Sequence, residues 1–288
     1  MAVHKRASVA AGVLVASVAL TSCGTGNSSH SAAPTSSSPT AIGPPGDRVQ
    51  PASVLAKVTG VSDSVFSAVG LPKAGSNNFL AVPSVYRGQP ALSFDGKPGA
   101  LFIGAEFCPY CAAERWPIIV AFSRFGTFSG LKETFSSPWD TYPATPTFSF
   151  YRSSYTSSYL GFRPIESESN DTGPDGAGRH ILEPLSPQEA NLWAEYDSHF
   201  GVPAGFPFLD IGNETFVTGP SYNPSILSGF DQSEIANDLT NPNDPATQDI
   251  VGTANYLTAA ICSITGGRPS SVCSSPVVAR AAGALGLG

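Results

Sequence analysis

Two cysteines separated by two residues, Cys108 and Cys111 in the stretch EFCPYC, follow directly on a short apolar run. A pair with this spacing makes and breaks a disulfide, supplies half of a metal site, or forms a permanent structural bridge. The residues on either side predict a strand before the pair and a helix after it. The pair therefore marks a strand–helix junction around which the fold must be organised.

The flanking segments support this junction. Residues 100–105 (ALFIGA) are apolar and follow the turn-forming sequence DGKPG, a pattern typical of a buried strand. Apolar residues recur at spacings of three and four in residues 116–125, which predicts a helix with one apolar face. Pro109 suits the first turn of that helix, because an N–H there has no helical partner. Cys108 is therefore expected at the helix N-terminus.

This position has consequences for the two sulfurs. The partial positive charge and unpaired N–H groups of a helix N-terminus favour a thiolate. Such a cysteine can have its pKa lowered from about 8.5 to about 3.5–7.5. We expect Cys108 to be the exposed nucleophile and Cys111, inside the first turn, to resolve a mixed disulfide. The nearby carboxylate of Glu106 opposes the thiolate, and the sequence leaves open which effect is larger.

The N-terminal segment predicts export and membrane attachment. Residues 1–22 have a basic start and an apolar segment too short to span a bilayer, the layout of a secretory signal. They end in LTS before Cys23, which resembles the bacterial lipobox and predicts lipidation of that cysteine; ordinary cleavage with a free or paired thiol is the alternative. Residues 23–47 are rich in Ser, Pro and Thr and predict a disordered tether. Residues 48–288 are thus expected at the extracytoplasmic face of the bacterial cell membrane.

Charge and cysteine count restrict the partners further. The 288 residues carry a formal net charge of −7, and removal of the basic signal makes the chain more acidic, which argues against a nucleic-acid partner. Lipidation of Cys23 leaves four of the five cysteines, an even number suited to an oxidising compartment. We expect a structural disulfide between Cys262 and Cys273. The alternative is a second redox pair that exchanges with the first.

Several segments together resemble a known fold. AEFCPYC after an apolar strand, Pro117 inside the following helix and the later segment GFPFLDIGNE resemble the thioredoxin-like fold, an α/β class with a mixed central sheet flanked by helices. FIGAEFCPYCAAERWPIIVAFSRFGTF, FPFLDIGN and AICSITGGRPSSVC resemble more closely the thioredoxin-like proteins of the domain-of-unknown-function family 929 (DUF929), over most of residues 48–273. The resemblance implies a cis bond before Pro207, a strand at 208–211 facing the cysteines and a further strand at 215–218.

The resemblance also has departures. Thioredoxin has a buried Asp six residues before its first cysteine, where this chain has Phe102, so an acid–base helper of that kind is expected to be absent. The dipeptide Pro109-Tyr110 matches glutaredoxins, and the His that strong periplasmic oxidants carry there is missing. The resemblance implies that Pro207 belongs to the catalytic site, where it shapes a peptide groove beside the two cysteines. It also implies that Tyr110 and Phe206 line this groove and bind the client.

The remaining chain is predicted to surround this core. We expect a strand at 143–152 after the CxxC helix, an insertion near 153–185, a helix at 186–200 opened by SPQE, and a last helix at 246–264 followed by a disulfide-containing segment.

These patterns lead to the expectation of a membrane-anchored thiol–disulfide oxidoreductase that oxidises or isomerises disulfides of cysteine-containing client proteins, together with an unknown membrane redox partner. No cofactor is implied, because the sulfurs of Cys108 and Cys111 carry the electrons. No metal site is expected, because zinc needs four ligands and the widely spaced Cys262 and Cys273 make a poor second half. The alternative is a non-catalytic thioredoxin-fold lipoprotein that binds peptides or partner proteins.

Overall fold

A computed structural model gives the fold of residues 48–49, 52–72, 75, 78–201 and 205–287. The predicted signal peptide, Cys23 and the tether lie outside these residues. None of the helices that the structure describes is both long and apolar enough to cross a membrane.

The described residues form short strands and helices. The strands are β1 Arg48–Val49, β2 Ser84–Val85, β3 Ser93–Phe94, β4 Lys97–Gly104, β5 Gly126–Ser129, β6 Lys132–Phe135, β7 Pro146–Ser149, β8 Ser154–Ser157, β9 Gly161–Glu166, β10 Phe208–Ile211 and β11 Thr215–Thr218. The helices are α1 Ala52–Thr59, α2 Asp63–Val69, α3 Pro109–Phe122, α4 Pro187–His199, α5 Gln232–Asp238, α6 Pro245–Ile264, α7 Ser270–Cys273 and α8 Pro276–Leu285, with 3₁₀ turns at Pro174–Gly176 and Pro224–Leu227.

The central sheet is mixed and is built around β4. Its order is β2-β11-β10-β4-β3, and β9 also pairs with β4. β10 runs antiparallel to β4, whereas β9 runs parallel to it. Leu101 and Ile103 of β4 pack in one apolar cluster with Tyr196 of α4, and Phe102 packs in another with α3 and α6. Both faces of the sheet are thus covered by helices, which confirms the predicted fold class and is compatible with a thioredoxin-like fold.

The strand that returns to the sheet after α3 lies later in the sequence than predicted. Within the predicted strand 143–152 only β7 forms, and it belongs to a separate sheet of order β1-β6-β7. The parallel neighbour of β4 is β9, inside the segment 153–185 that was predicted as an insertion, so this prediction was wrong. β9 contains Arg163 and Pro164, and only its last two residues are buried. It therefore lacks the apolar run that marks a central strand.

The two predicted helices are confirmed as α4 and α6. Ser186 caps α4 by accepting the Glu189 N–H, while the Glu189 carboxylate accepts the Ser186 N–H, a capping box that satisfies two unpaired donors. α6 is not the last helix, because α7 and α8 follow the Gly-Gly break that ended the prediction.

The helix after the cysteines continues through a proline because the carbonyl that the proline leaves without a helical donor accepts a hydroxyl instead. Pro117 removes an N–H from the interior of α3. The carbonyl of Ala113, four residues earlier, instead accepts the hydroxyl of Tyr222 at 2.6 Å. The neighbouring carbonyl of Ala112 accepts the hydroxyl of Thr147 at 2.8 Å. Both hydroxyl-bearing residues are fully buried, so they hold α3 in place from the inside of the fold.

Candidate active site

Cys108 and Cys111 lie where β4 gives way to α3. Cys108 is the N-cap residue of α3, and its Sγ accepts the backbone N–H of Cys111 at 3.2 Å. Pro109 occupies the first turn, as predicted. Both cysteines are thiols in this structure. The predicted strand–helix junction is therefore confirmed.

The two thiols differ in acidity. Hydrogen bonds from Cys111 lower the pKa of Cys108 below its ordinary value, although burial acts against them. Burial raises the pKa of Cys111 well above its ordinary value, because its thiolate would be shielded from water. Cys108 is thus the more acidic thiol and the one more available as a thiolate. The sequence left open whether the pKa of Cys108 is lowered or raised overall, and in the structure it is lowered. The Glu106 carboxylate accepts a hydrogen bond from the Ser149 hydroxyl.

Cys108 is less accessible than predicted. Only 5% of the residue is exposed, whereas the sequence led us to expect an exposed nucleophile. It belongs to the main apolar cluster, against which Phe107, Tyr110 and Phe206 pack. Cys108 is therefore almost fully covered by surrounding residues in this structure.

The segment that opens β10 lies beside the cysteines. The Phe206–Pro207 peptide bond is cis, as predicted. Phe208 pairs with Ile103 in the antiparallel register of β10 and β4. One residue earlier along this register, Pro207 is level with Gly104, the last residue of β4 before the EFCPYC stretch. Strand pairing thus brings together two segments that are far apart in sequence.

The two aromatic residues that directly precede the cysteines and the rings packed on them form what we call the aromatic collar: Phe107, Tyr110, Tyr142, Trp193 and Phe206. The Phe206 ring stacks on Trp193 with centroids 5.2 Å apart and meets Phe107 edge-on at 6.2 Å. The Tyr110 ring meets Tyr142 edge-on at 5.7 Å. Sequence reasoning identified Tyr110 and Phe206. It missed the other three, two of which come from a distant loop and from α4.

Two exposed apolar side chains lie beside the collar. Trp139 is 57% exposed and Ile181 is 76% exposed. The N–H of Trp139 donates to the Ser137 hydroxyl, and the N–H of Ser137 donates to the Phe107 carbonyl. Ile181 pairs with Glu168, whose carbonyl accepts an N–H at the start of the EFCPYC stretch. Apolar surface therefore flanks the cysteines on two loops.

A buried ion pair lies behind the cysteines. The Arg115 guanidinium donates to both carboxylate oxygens of Glu166, from Nε at 2.8 Å and from Nη2 at 2.5 Å, and both side chains are fully buried. Arg115 Nη2 also donates to the carbonyl of Ala105 at 2.9 Å, and Glu166 accepts the N–H of Phe150 at 3.1 Å. Phe102, at the position of the buried Asp of thioredoxin, belongs to the apolar core. A buried carboxylate comes instead from Glu166 on the adjacent strand β9. Sequence reasoning missed it because β9 was assigned to the insertion.

The remaining two cysteines of the described chain are paired. A disulfide joins Cys262 at the end of α6 to Cys273 in α7, with their Cα atoms 5.6 Å apart, which confirms the predicted pairing. Their sulfurs are therefore not thiolate ligands in this state. Among the described residues, no group of three or more His, Cys, Asp and Glu side chains is placed to hold a metal ion.

Fold and site together define a class: an α/β protein with a mixed sheet and two thiols at the N-terminus of a buried helix. The model of the family described as Domain of unknown function (DUF929) matches residues 85–263, more than half of the chain. The chain belongs to this family, and the matched region includes both thiols, the cis proline and the buried ion pair. No curated protein and no solved structure matches the chain.

Proposed function

We propose that the protein is a thiol–disulfide oxidoreductase that acts on client proteins outside the cytoplasm. The observation that carries the proposal is the asymmetry of the cysteine pair. Cys108 caps a helix and is the more acidic thiol, while Cys111, one turn behind it, keeps its proton. A reactive first sulfur and a shielded second sulfur are what a two-step exchange needs.

The exchange transfers two electrons between the cysteine pair and a client disulfide. In the reducing direction, the Cys108 thiolate attacks one sulfur of a client disulfide, and the other client sulfur leaves as a thiolate. Cys111 then loses its proton and attacks the Cys108 sulfur. The bond between Cys108 and the client breaks, the client leaves fully reduced, and the protein holds the Cys108–Cys111 disulfide.

Oxidation of a client runs the same steps in reverse. A client thiolate attacks the Cys108–Cys111 disulfide at Cys108, and a second client thiolate then displaces Cys108. Because a sulfur with a low pKa leaves easily, the lowered pKa of Cys108 favours transfer of the disulfide to the client. An isomerase uses the first step and its reversal. Repeated oxidation requires a membrane redox partner that accepts two electrons from the reduced pair.

Other features support the proposed location and client class. The signal-like N-terminus and the lipobox before Cys23 support an anchor at the extracytoplasmic face of the membrane. The disulfide between Cys262 and Cys273 supports an oxidising compartment. The aromatic collar, with Trp139 and Ile181 beside it, suits apolar side chains of an extended or unfolded client.

A second candidate function is non-catalytic binding of a peptide or partner protein in the same groove. The 5% exposure of Cys108 favours it, because an apolar groove over a covered sulfur is suited to binding without exchange. The two functions predict different reduction potentials for the cysteine pair.

The test is the equilibrium of the Cys108–Cys111 pair with glutathione buffers, read by alkylation of free thiols. A reduction potential between roughly −120 and −230 mV, together with catalysed refolding of a reduced, disulfide-containing test protein, supports the oxidoreductase. A value below about −300 mV describes a bond that stays closed in its compartment, and favours the binding function. Cys108→Ser is the negative control, and loss of catalysis in that variant is required.

A further inference from the structure

We propose that the buried pair of Arg115 and Glu166 sets the acidity and the redox balance of the cysteine pair. Arg115 is a positioning residue that holds a positive charge behind Cys111, and Glu166 fixes that charge in place and limits its strength. This inference rests on the proposed function, because it concerns the same two sulfurs.

The backbone geometry places both charges at the cysteine pair. Arg115 follows Cys111 by four residues on α3, so the two share a helix face. Arg115 donates to the carbonyl of Ala105, and a backbone hydrogen bond from Ala105 helps to stabilise an ionised Cys111. Gly104, the partner of Glu166 in the β4–β9 register, lies so close to Cys111 that a Cβ on it would be 3.2 Å from the sulfur. The ion pair and Cys111 therefore pack around the same end of β4.

The buried ion pair of Arg115 and Glu166 is poorly suited to a role in stability alone. Desolvation of two charges opposes their attraction, and apolar replacements of buried ion pairs are often neutral or stabilising. Arg115 Nη1 is also buried without a hydrogen-bond partner among the described residues. A donor left unsatisfied in the interior destabilises the fold. An electrostatic role at the adjacent sulfurs accounts for a fully buried guanidinium at this place.

The charges that face the sulfurs act in opposite directions. The positive charge of Arg115 favours the thiolate of both Cys108 and Cys111. On α3 each cysteine also faces the other. Glu166 from β9 and the half-buried Glu106 at the end of β4 both interact with Arg115 and weaken its effect on the sulfurs. Water is excluded at Arg115 and Glu166, so their charges are poorly screened.

This arrangement matters most in the resolving step. The Cys111 thiol must release its proton to solvent before its sulfur forms the bond to Cys108 and the client leaves as a thiolate. For that moment a negative charge lies on a fully buried sulfur. Arg115 stabilises this anion without taking part in the bond exchange.

Two variants that should shift the acidity of the sulfurs in opposite directions test the inference. Glu166→Gln removes the negative charge and leaves Arg115 uncompensated, so Cys108 should ionise at lower pH and glutathione should leave more of the protein reduced. Arg115→Met combined with Glu166→Leu removes both charges. Cys108 should then ionise at higher pH, and a smaller fraction of the protein should be reduced in the same glutathione buffer. We expect shifts of about one pH unit, a tenfold change in thiolate fraction. Thiolate formation is followed by ultraviolet absorbance, with no client present.

The controls separate electrostatics from damage to the fold. Arg87→Met with Glu214→Leu removes a partly exposed ion pair at the other end of the central sheet, and should leave the thiolate titration unchanged. Arg115→Lys keeps a positive charge but loses the two-point contact with Glu166, so its shift should be smaller than that of the double variant. Glu166→Gln remains the readout if the double variant folds poorly. Shifts of the two test variants in the same direction, or no shift in Glu166→Gln, would overturn the inference.

The same measurements distinguish the two proposals. If wild-type protein fails to exchange with any client while the titrations shift in opposite senses, the oxidoreductase proposal is wrong and the electrostatic role stands. If exchange is catalysed but the titrations do not shift, the electrostatic role is wrong and the function stands.

Discussion

The carboxylate of Glu114 accepts two hydrogen bonds from Ser221, one from its backbone N–H at 2.9 Å and one from its hydroxyl at 3.1 Å. Glu114 belongs to α3 and is fully buried, and Ser221 follows β11. Burial raises the pKa of Glu114 from its ordinary 4.5 to about 7. The helix that carries the cysteines is therefore held to the segment after β11 by a carboxyl group that titrates near neutral pH.

This relationship predicts a pH-dependent stability. Because the folded pKa of Glu114 is raised, its contribution is fully present below about pH 4.5 and is lost as pH rises through about 7. The loss is at most about 3 kcal/mol. Glu114→Gln keeps two hydrogen-bonding positions and removes the titration, so urea unfolding at about pH 5 and about pH 8 should differ less than in wild type. Asp210, whose pKa burial also raises to about 7, keeps part of the dependence.

The matched control is Glu195→Gln, an exposed position on α4. It should leave the difference between the two pH values unchanged. An unchanged difference in Glu114→Gln would show that Glu114 does not ionise in this range.

Gly104 is predicted to tolerate no side chain. A Cβ at this position would lie 2.6 Å from the ring of Phe102 and 3.2 Å from the sulfur of Cys111. Phe102 is fully buried, so it cannot yield easily, and Gly104→Ala should lower the free energy of unfolding by about 1–3 kcal/mol. Gly283→Ala on α8 is the control, because no neighbouring atom lies within 4 Å of its Cβ position, and it should raise the free energy of unfolding by about 0.5–1 kcal/mol. Equal effects in urea unfolding would contradict the packing argument.

The asymmetry of the cysteines predicts a trapped intermediate. In the proposed exchange, Cys111→Ser keeps the attacking sulfur of Cys108 and removes the sulfur that resolves the mixed disulfide. Covalent adducts with cysteine-containing proteins should therefore accumulate and disappear on treatment with a reductant. Non-reducing gels and mass spectrometry detect them. Cys108→Ser should form none, and adducts of equal amount in both variants would mean that Cys108 is not the attacking sulfur.

Removal of the disulfide between Cys262 and Cys273 should lower the stability of the protein and leave its rate of thiol–disulfide exchange unchanged. The disulfide between Cys262 and Cys273 closes a loop with a sequence separation of 11. In the chain-entropy description such a loop contributes on the order of 3 kcal/mol. Cys262→Ser combined with Cys273→Ser should melt at lower temperature and keep the exchange rate of wild type per folded molecule. A fall in that rate without further unfolding would assign the pair a redox role.

The sequence predicts the part of the site that is encoded locally. The apolar run 100–105, the CxxC spacing and Pro109 together specify a strand, a turn and a helix start, and each rests on neighbouring residues. The cis bond before Pro207 and the strand at 208–211 came instead from family resemblance.

The parts that were missed depend on contacts between distant segments. β9 contains Arg163 and Pro164, so its sequence does not have the apolar pattern of a central strand. Only its pairing with β4 identifies it as one. Glu166 at its end becomes a buried partner of Arg115 only once that pairing exists. The burial of Cys108 likewise depends on the packing of the main apolar cluster, whose members come from elements far apart in the sequence. Local patterns cannot report such long-range packing.

The proline in α3 provides a last prediction, on how the helix is held. Tyr222→Phe leaves the Ala113 carbonyl without its hydroxyl donor, in a fully buried environment, and should cost about 1–3 kcal/mol of unfolding free energy. Pro117→Ala restores an N–H that can reach the same carbonyl within the helix. The cost of Tyr222→Phe should therefore be smaller in the Pro117→Ala background. A double-mutant cycle by urea unfolding measures this coupling, and strictly additive effects would show that the Tyr222 hydroxyl does not substitute for the missing N–H.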